Sequence, residues 1–132
     1  MTDPPASPSA EDCLTVGPVT LTDFVRYAGA SGDFNPLHHD DAFARDAGFP
    51  SPFAMGMFSA GLIGAWLSGQ ADPRRLRRLR IRFEQQVWPQ DVLTIQGTRA
   101  PAPDMDGDEY AIECRRSDGA LVSRGWALMA GS

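Results

Sequence analysis

Cysteine and histidine are scarce in this chain, and each scarcity excludes something. The two cysteines, Cys13 and Cys114, stand far apart with no CxxC spacing. That excludes a disulfide framework and a cysteine metal site, and points to reduced thiols in a cytoplasm. The only histidines are adjacent, His38 and His39. Consecutive residues do not converge on one ion, so His38, His39, Asp40 and Asp41 are not read as a metal site. Asp104, Asp106 and Asp108 resemble the start of a calcium loop, but its glycine is displaced: Glu109 holds the sixth position and the glycine is Gly107. Excess positive charge is lacking too. A net charge of -5 argues against nucleic acid as a partner. The longest apolar stretch, Met55 to Leu67, falls short of the roughly 20 residues that cross a bilayer. No charged segment followed by an apolar one opens the chain, so no secretory signal is read.

What is present suits one soluble globular domain: 132 residues, 42% hydrophobic and 22% charged. Residues 1–12 are Pro, Ser, Ala and acid without an apolar period, and read as a flexible tail. Residues 13–132 form the domain. Cys13 to Val19 is a short strand at most, cut at Gly17-Pro18. Thr20 with Asp23 reads as a capping pair, an Asp serving where Glu is more usual. The helix it starts puts Leu21, Phe24, Val25 and Ala28 on one face. Gly29 to Pro36 ends that helix, and Asp40 or Asp41 caps a short second one that stops at Gly48. From Met57 to about Ser68 runs a third helix, apolar nearly all round and carrying Gly61 and Gly64. Such a helix is expected to be buried, with its glycines allowing close backbone approach.

After Pro73 the chain reads as strands. Leu79, Ile81 and Phe83 alternate with arginines, Val92 to Thr98 follows, and Tyr110, Ile112 and Cys114 alternate with polar residues. Ser117-Asp118-Gly119 is a hairpin turn before a last strand from Leu121 to Met129. The sum is an α+β domain, an antiparallel sheet curled around one apolar helix. Such a domain pairs with a second one to cover the open side and edges of its sheet.

Three features can carry chemistry. Asp33 and His38 flank the turn at Asn35-Pro36, which can aim both side chains to one side as an acid and a base. Read alone, the same residues also fit a turn aspartate and a solvated histidine. Gly56 opens the third helix, where free N–H groups can support an oxygen that gains charge; it also fits an ordinary loop glycine. Arg74, Arg75, Arg77, Arg78, Arg80 and Arg82 form a basic run, either a solvated strand face or a landing strip for a phosphate or an acidic carrier protein.

The stretch YAGASGDFNPLHHD…GFPSPFAMGM, from Tyr27 to Met57, resembles the MaoC-like, R-specific enoyl-thioester hydratase/dehydratase family, whose fold is the hot dog. The family pattern is approximately YA…SGD-x-NP-[IL]-H-x-D, a short helix, then HGM. Downstream, RFEQQVWPQD echoes the family's RF-x-x-PV-x-x-GD. The resemblance implies that Asp33 and His38 are the catalytic pair and that Asn35 shapes their loop. It implies that the Gly56 N–H supports the thioester oxygen. The acyl chain would then run past Phe53, Met57, Phe58 and Leu62. The chain departs from the pattern at Met55, where the family has the His of HGM, and at Gly64, where some relatives carry a hydroxyl.

The implied reaction is reversible (R)-specific hydration of an enoyl thioester, or dehydration of the 3-hydroxyacyl thioester. It would serve fatty-acid, polyketide or related acyl metabolism. No metal or redox cofactor is expected, coenzyme A or phosphopantetheine being part of the substrate. The expected partners are the thioester, an acyl carrier protein, and a second hot-dog subunit in a homodimer or heterodimer, with neither nucleic acid nor membrane. Two alternatives stand beside this reading: a non-catalytic hot-dog subunit, suggested by Met55, and an acyl-CoA thioesterase, which uses the same fold.

Overall fold

The computed structural model describes residues 12–131, so the expected tail lies outside the described residues except for Asp12. In chain order the elements are β1 (Leu14–Val16), α1 (Leu21–Ser31), α2 (Asp41–Asp46), α3 (Gly56–Gln70), β2 (Leu76–Phe83), β3 (Leu93–Pro101), β4 (Gly107–Arg116) and β5 (Leu121–Ala130). The strands make one antiparallel sheet in the order β1-β3-β4-β5-β2. The chain leaves β1 at one edge, runs through all three helices, and enters the sheet again at the opposite edge. That crossing lays α3 over the sheet as its central helix.

Local chemistry sets the helix ends. Thr20 and Asp23 form a complete capping box: the Asp23 N–H donates to Thr20 Oγ1 at 3.2 Å, and the Thr20 N–H donates to Asp23 Oδ2 at 2.8 Å. The shorter aspartate suffices there. Gly32 stops α1 in the left-handed region at φ 76°, its N–H returning to the Ala28 carbonyl. The packed face of α1 is narrower than its pattern suggests. Phe24 and Ala28 are buried, whereas Leu21 and Val25 are 40% and 51% exposed. One ridge of α1 meets the Phe58 ring, through Phe24 and Tyr27, and the flanking positions stay outside.

The expectation of a wholly buried α3 is corrected. Ser59, Ala60, Ile63, Trp66 and Leu67 are buried, but Met57 is 59% exposed and Gly61 and Ala65 lie open. The sheet covers one side and α1 another, leaving a third flank uncovered in a single chain. Nothing lies within 4 Å of where a Cβ would stand on Gly61 or Gly64. Close approach occurs instead at two strand glycines. A methyl on Gly97 would sit 2.8 Å from the Trp66 ring and 2.8 Å from the Ala111 carbonyl oxygen. One on Gly125 would sit 3.1 Å from Ile63. These bare positions let α3 settle on the sheet.

The strands follow their alternation with one exception. Tyr110, Ile112 and Cys114 point inward and are buried, and burial pushes the Cys114 thiol up to about 11, which keeps it protonated and unreactive. Phe83, expected to face the core beside Leu79 and Ile81, is 50% exposed. It stands where β2 passes the start of α3, so its ring lies against Gly56. In the following connection Gln90 adopts φ 76°, at the position where the resembled family has glycine, and donates its N–H to the Val19 carbonyl at 2.6 Å.

Overpacking is the test of the contact between α3 and the sheet. Gly97→Ala should lower unfolding stability in urea by about 1–3 kcal/mol, because neither the Ala111 backbone nor the packed Trp66 ring can yield cheaply. A stability equal to the parent's would show that α3 is not seated this closely.

Candidate active site

The loop between α1 and α2 is built from nested side-chain turns. The Asn35 N–H donates to Asp33 Oδ1 at 3.3 Å, and the Leu37 N–H donates to Asn35 Oδ1 at 3.1 Å. Asn35 thereby caps a single 3-10 turn over Pro36–His38. Proline presets its backbone for that first position, and Asn competes for backbone donors better than most residues do. Asp40 then caps α2 by accepting from the Phe43 N–H at 3.1 Å.

His38 is carried inward by this turn and is 8% exposed. Its Nδ1 lies 2.7 Å from the Phe53 carbonyl oxygen. A carbonyl only accepts, so Nδ1 holds the proton and the neutral ring presents a bare Nε2. That nitrogen faces Asp33 Oδ2 at 3.6 Å. Asp33 thus has two contacts at once: Oδ1 closes the turn while Oδ2 faces the histidine. His39 points elsewhere, its Nε2 lying 3.4 Å from the Phe34 carbonyl oxygen at the surface.

Phe53 ties this loop to the next segment. Its N–H donates to the Leu37 carbonyl at 3.3 Å, and its ring meets His38 edge-on at 5.4 Å and Trp88 at 5.8 Å. One residue on, the Ala54 N–H donates to the Val87 carbonyl at 2.9 Å. Met55, 3% exposed, is the N-cap of α3 and supplies no side-chain cap. Gly56, the first residue of α3, lines a cleft of about 270 Å³ together with Phe53, Met55, Ser59, Phe83 and Gln85.

The site residues expected from sequence fall into three places. Asp33, Asn35, His38 and Phe53 come together, and Phe53, Met55 and Gly56 line the adjoining cleft. Phe58 and Leu62 line a second groove, with Tyr27, Val16 and Pro18, toward α1. Met57 is exposed. Sequence reasoning missed Ser59 and Phe83. Ser59 follows Gly56 by three residues, one helical turn, and that spacing was the available signal. Phe83 had none, since only the fold brings β2 to α3. Among the described residues, no group of His, Cys, Asp and Glu is arranged to hold a metal ion.

With this geometry in place, comparison with known proteins is informative. The family model described as "MaoC like domain" matches residues 7–109. The chain belongs to that family. Its sequence is 39% identical over 66 residues to a peroxisomal enoyl-CoA hydratase 2 of Arabidopsis thaliana, covering 48% of this chain and 21% of that protein. It is also 39% identical over 74 residues to the fatty acid synthase beta subunit hexB of Dothistroma septosporum, covering 54% of this chain and 4% of that one. The chain thus spans only a fraction of the curated relatives it matches. Among solved structures it resembles the (R)-hydratase from A. caviae involved in PHA biosynthesis, at 26% identity and a TM-score of 0.80, over 91% of this chain and 92% of that one. The R-hydratase PhaJ1 from Pseudomonas aeruginosa gives 26% and 0.78, over 91% and 79%. The MaoC-like chain therefore has the hot-dog fold, its five-stranded sheet wrapped on α3.

The Asn35 turn is the piece of this MaoC-like site most exposed to a simple test. Asn35→Ala leaves the Leu37 N–H without its cap, which should cost about 1 kcal/mol, read as a lower urea midpoint at unchanged slope. An unchanged midpoint would mean that Pro36 alone holds the loop.

Proposed function

We propose that this chain catalyses the reversible (R)-specific hydration of an enoyl thioester and the reverse dehydration. One observation carries the reading: the His38 ring is fixed by the Phe53 carbonyl so that its bare Nε2 faces Asp33 Oδ2 at 3.6 Å. That gap is too wide for a direct hydrogen bond and suits one water that touches both groups. In hydration the pair takes a proton from this water as its oxygen bonds to C3 of the enoyl group. The C2–C3 double bond opens, charge moves onto the thioester oxygen at the Gly56 N–H, and a proton is delivered to C2. Dehydration runs these steps backward. Two groups this close share their protons, so the acid and base roles belong to the pair. Adding water changes no net oxidation state, so the reaction proposed needs no redox cofactor.

The surroundings support this reading over a non-catalytic subunit. Met55 stands where the family has histidine, yet it is buried as an apolar wall and leaves the first turn of α3 uncapped. The wide separation of the two cysteines, Cys13 and Cys114, suits reduced thiols in a cytoplasm. No helix among the described residues is long and apolar enough to cross a membrane. The thioester is carried by coenzyme A or by an acyl carrier protein. For the latter, Arg78 is the candidate within the basic run, since the Arg80 guanidinium already lies over the Trp126 ring at 5.3 Å. Arg74 pairs with Asp72, Arg75 and Arg77 donate to backbone carbonyls, and Arg82 pairs with Glu84.

A second hot-dog domain, identical or different, completes the assembly. The uncovered flank of α3 and the open edge of β2 are the surfaces it would take. For the purified chain alone we expect the mass of a dimer by light scattering at micromolar concentration. A fully active monomer would contradict this part.

Substitution tests the pair. Asp33→Asn and His38→Ala should each lower kcat for hydration of a short trans-2-enoyl-CoA by at least ~10²-fold, with circular dichroism unchanged. Full activity in either folded variant would remove that residue from the chemistry.

A further inference from the structure

Gly56 has a weakness as an oxyanion support. It lacks a side chain, begins a helix, and follows an N-cap that makes no side-chain hydrogen bond. A glycine in that position is free to tilt its peptide planes, and an oxyanion support works only when its N–H is fixed before the charge develops. Something must hold it.

Two contacts do. The Ser59 hydroxyl donates to the Gly56 carbonyl at 3.0 Å. The Phe83 ring covers the other side, with three ring carbons 3.3 Å from where a Cβ on Gly56 would stand. Ser59 is 2% exposed and lines the same cleft as Gly56. Serine in a helix interior often returns its hydroxyl to the preceding turn, slightly weakening the helix. Here that bond falls on the glycine that begins α3 and lines the cleft.

We propose that Ser59 is a positioning residue: its hydroxyl, with the Phe83 ring opposite, clamps Gly56 and holds the Gly56 N–H on the thioester oxygen. In this chain the clamp does the ordering that no side chain at position 55 provides. The inference rests on the reading of Gly56 as the oxyanion support.

The test separates the two. Acetoacetyl-CoA has an acidic C2, and its enolate, read by ultraviolet absorption, forms on the enzyme to the extent that the oxygen is supported. On the full chain, Ser59→Ala should lower kcat for enoyl-CoA hydration about tenfold, as expected when a neutral hydrogen bond is lost, with KM within about twofold. The apparent pKa of bound acetoacetyl-CoA should rise by about one unit. Ser59→Cys keeps the shape with a weaker donor and should show the same loss if the alanine variant folds poorly. Ser59→Thr keeps the hydroxyl and should restore both readouts. A parent that hydrates substrate and forms the enolate, with Ala and Cys variants that do so equally well, overturns the role of Ser59 alone. Variants that only melt earlier, with kcat and enolate unchanged, overturn it too. A parent that does neither overturns the reading of Gly56 and this inference with it.

Discussion

The seating of α3 on the sheet is the constraint from which the rest follows. Trp66 and Ile63 reach the strands only because Gly97 and Gly125 carry no side chain there. Packing this close gains many small dispersion contacts and removes a large indole from water. It also sets the height and rotation of the whole helix. The N-terminus of α3 then falls beside the end of β2, where Phe83 meets Gly56, and beside Val87, whose carbonyl holds Ala54. The candidate site thus depends on a helix whose seat on the sheet is set by two missing methyl groups.

The loop between α1 and α2 is organised differently. It is held by short-range hydrogen bonds in which the side chains of Asp33, Asn35 and Asp40 accept from nearby backbone N–H groups. Two bonds to Phe53 anchor it at long range: His38 Nδ1 on the Phe53 carbonyl, and the Phe53 N–H on the Leu37 carbonyl. The first fixes the tautomer and aims Nε2 at Asp33, and both join the loop to the segment leading into α3. The Asp33–His38 pair and the start of α3 are thereby held in one frame, which is what the proposed reaction, with separated proton and charge sites, would need.

Much of this was legible in the sequence because it is local. The Thr20 cap, the Asp33–Asn35–Pro36 turn, the Asp40 cap and the inward alternation at Tyr110, Ile112 and Cys114 depend on neighbours a few residues away. The pairing of Asp33 with His38 was legible through the family pattern, since spacing alone left it open. What escaped depends on the fold. The alternation of β2 placed Phe83 in the core, but the strand outruns the core at that point. The glycines of α3 suggested close approach, whereas in one chain the close approach is at Gly97 and Gly125 and the α3 glycines face open space. Phe58 and Leu62 shared an apolar helix with Gly56, yet rotation about the helix sends them to another groove.

The central claim is that Asp33, His38 and the Gly56 N–H act together on one face of an enoyl thioester, so the stereochemistry of the product tests it most directly. The purified chain, incubated with a short trans-2-enoyl-CoA, should yield the (R)-3-hydroxyacyl-CoA, resolved by chiral chromatography after hydrolysis. A product of (S) configuration, or no hydration by the chain either alone or paired with a second hot-dog subunit, would contradict the account.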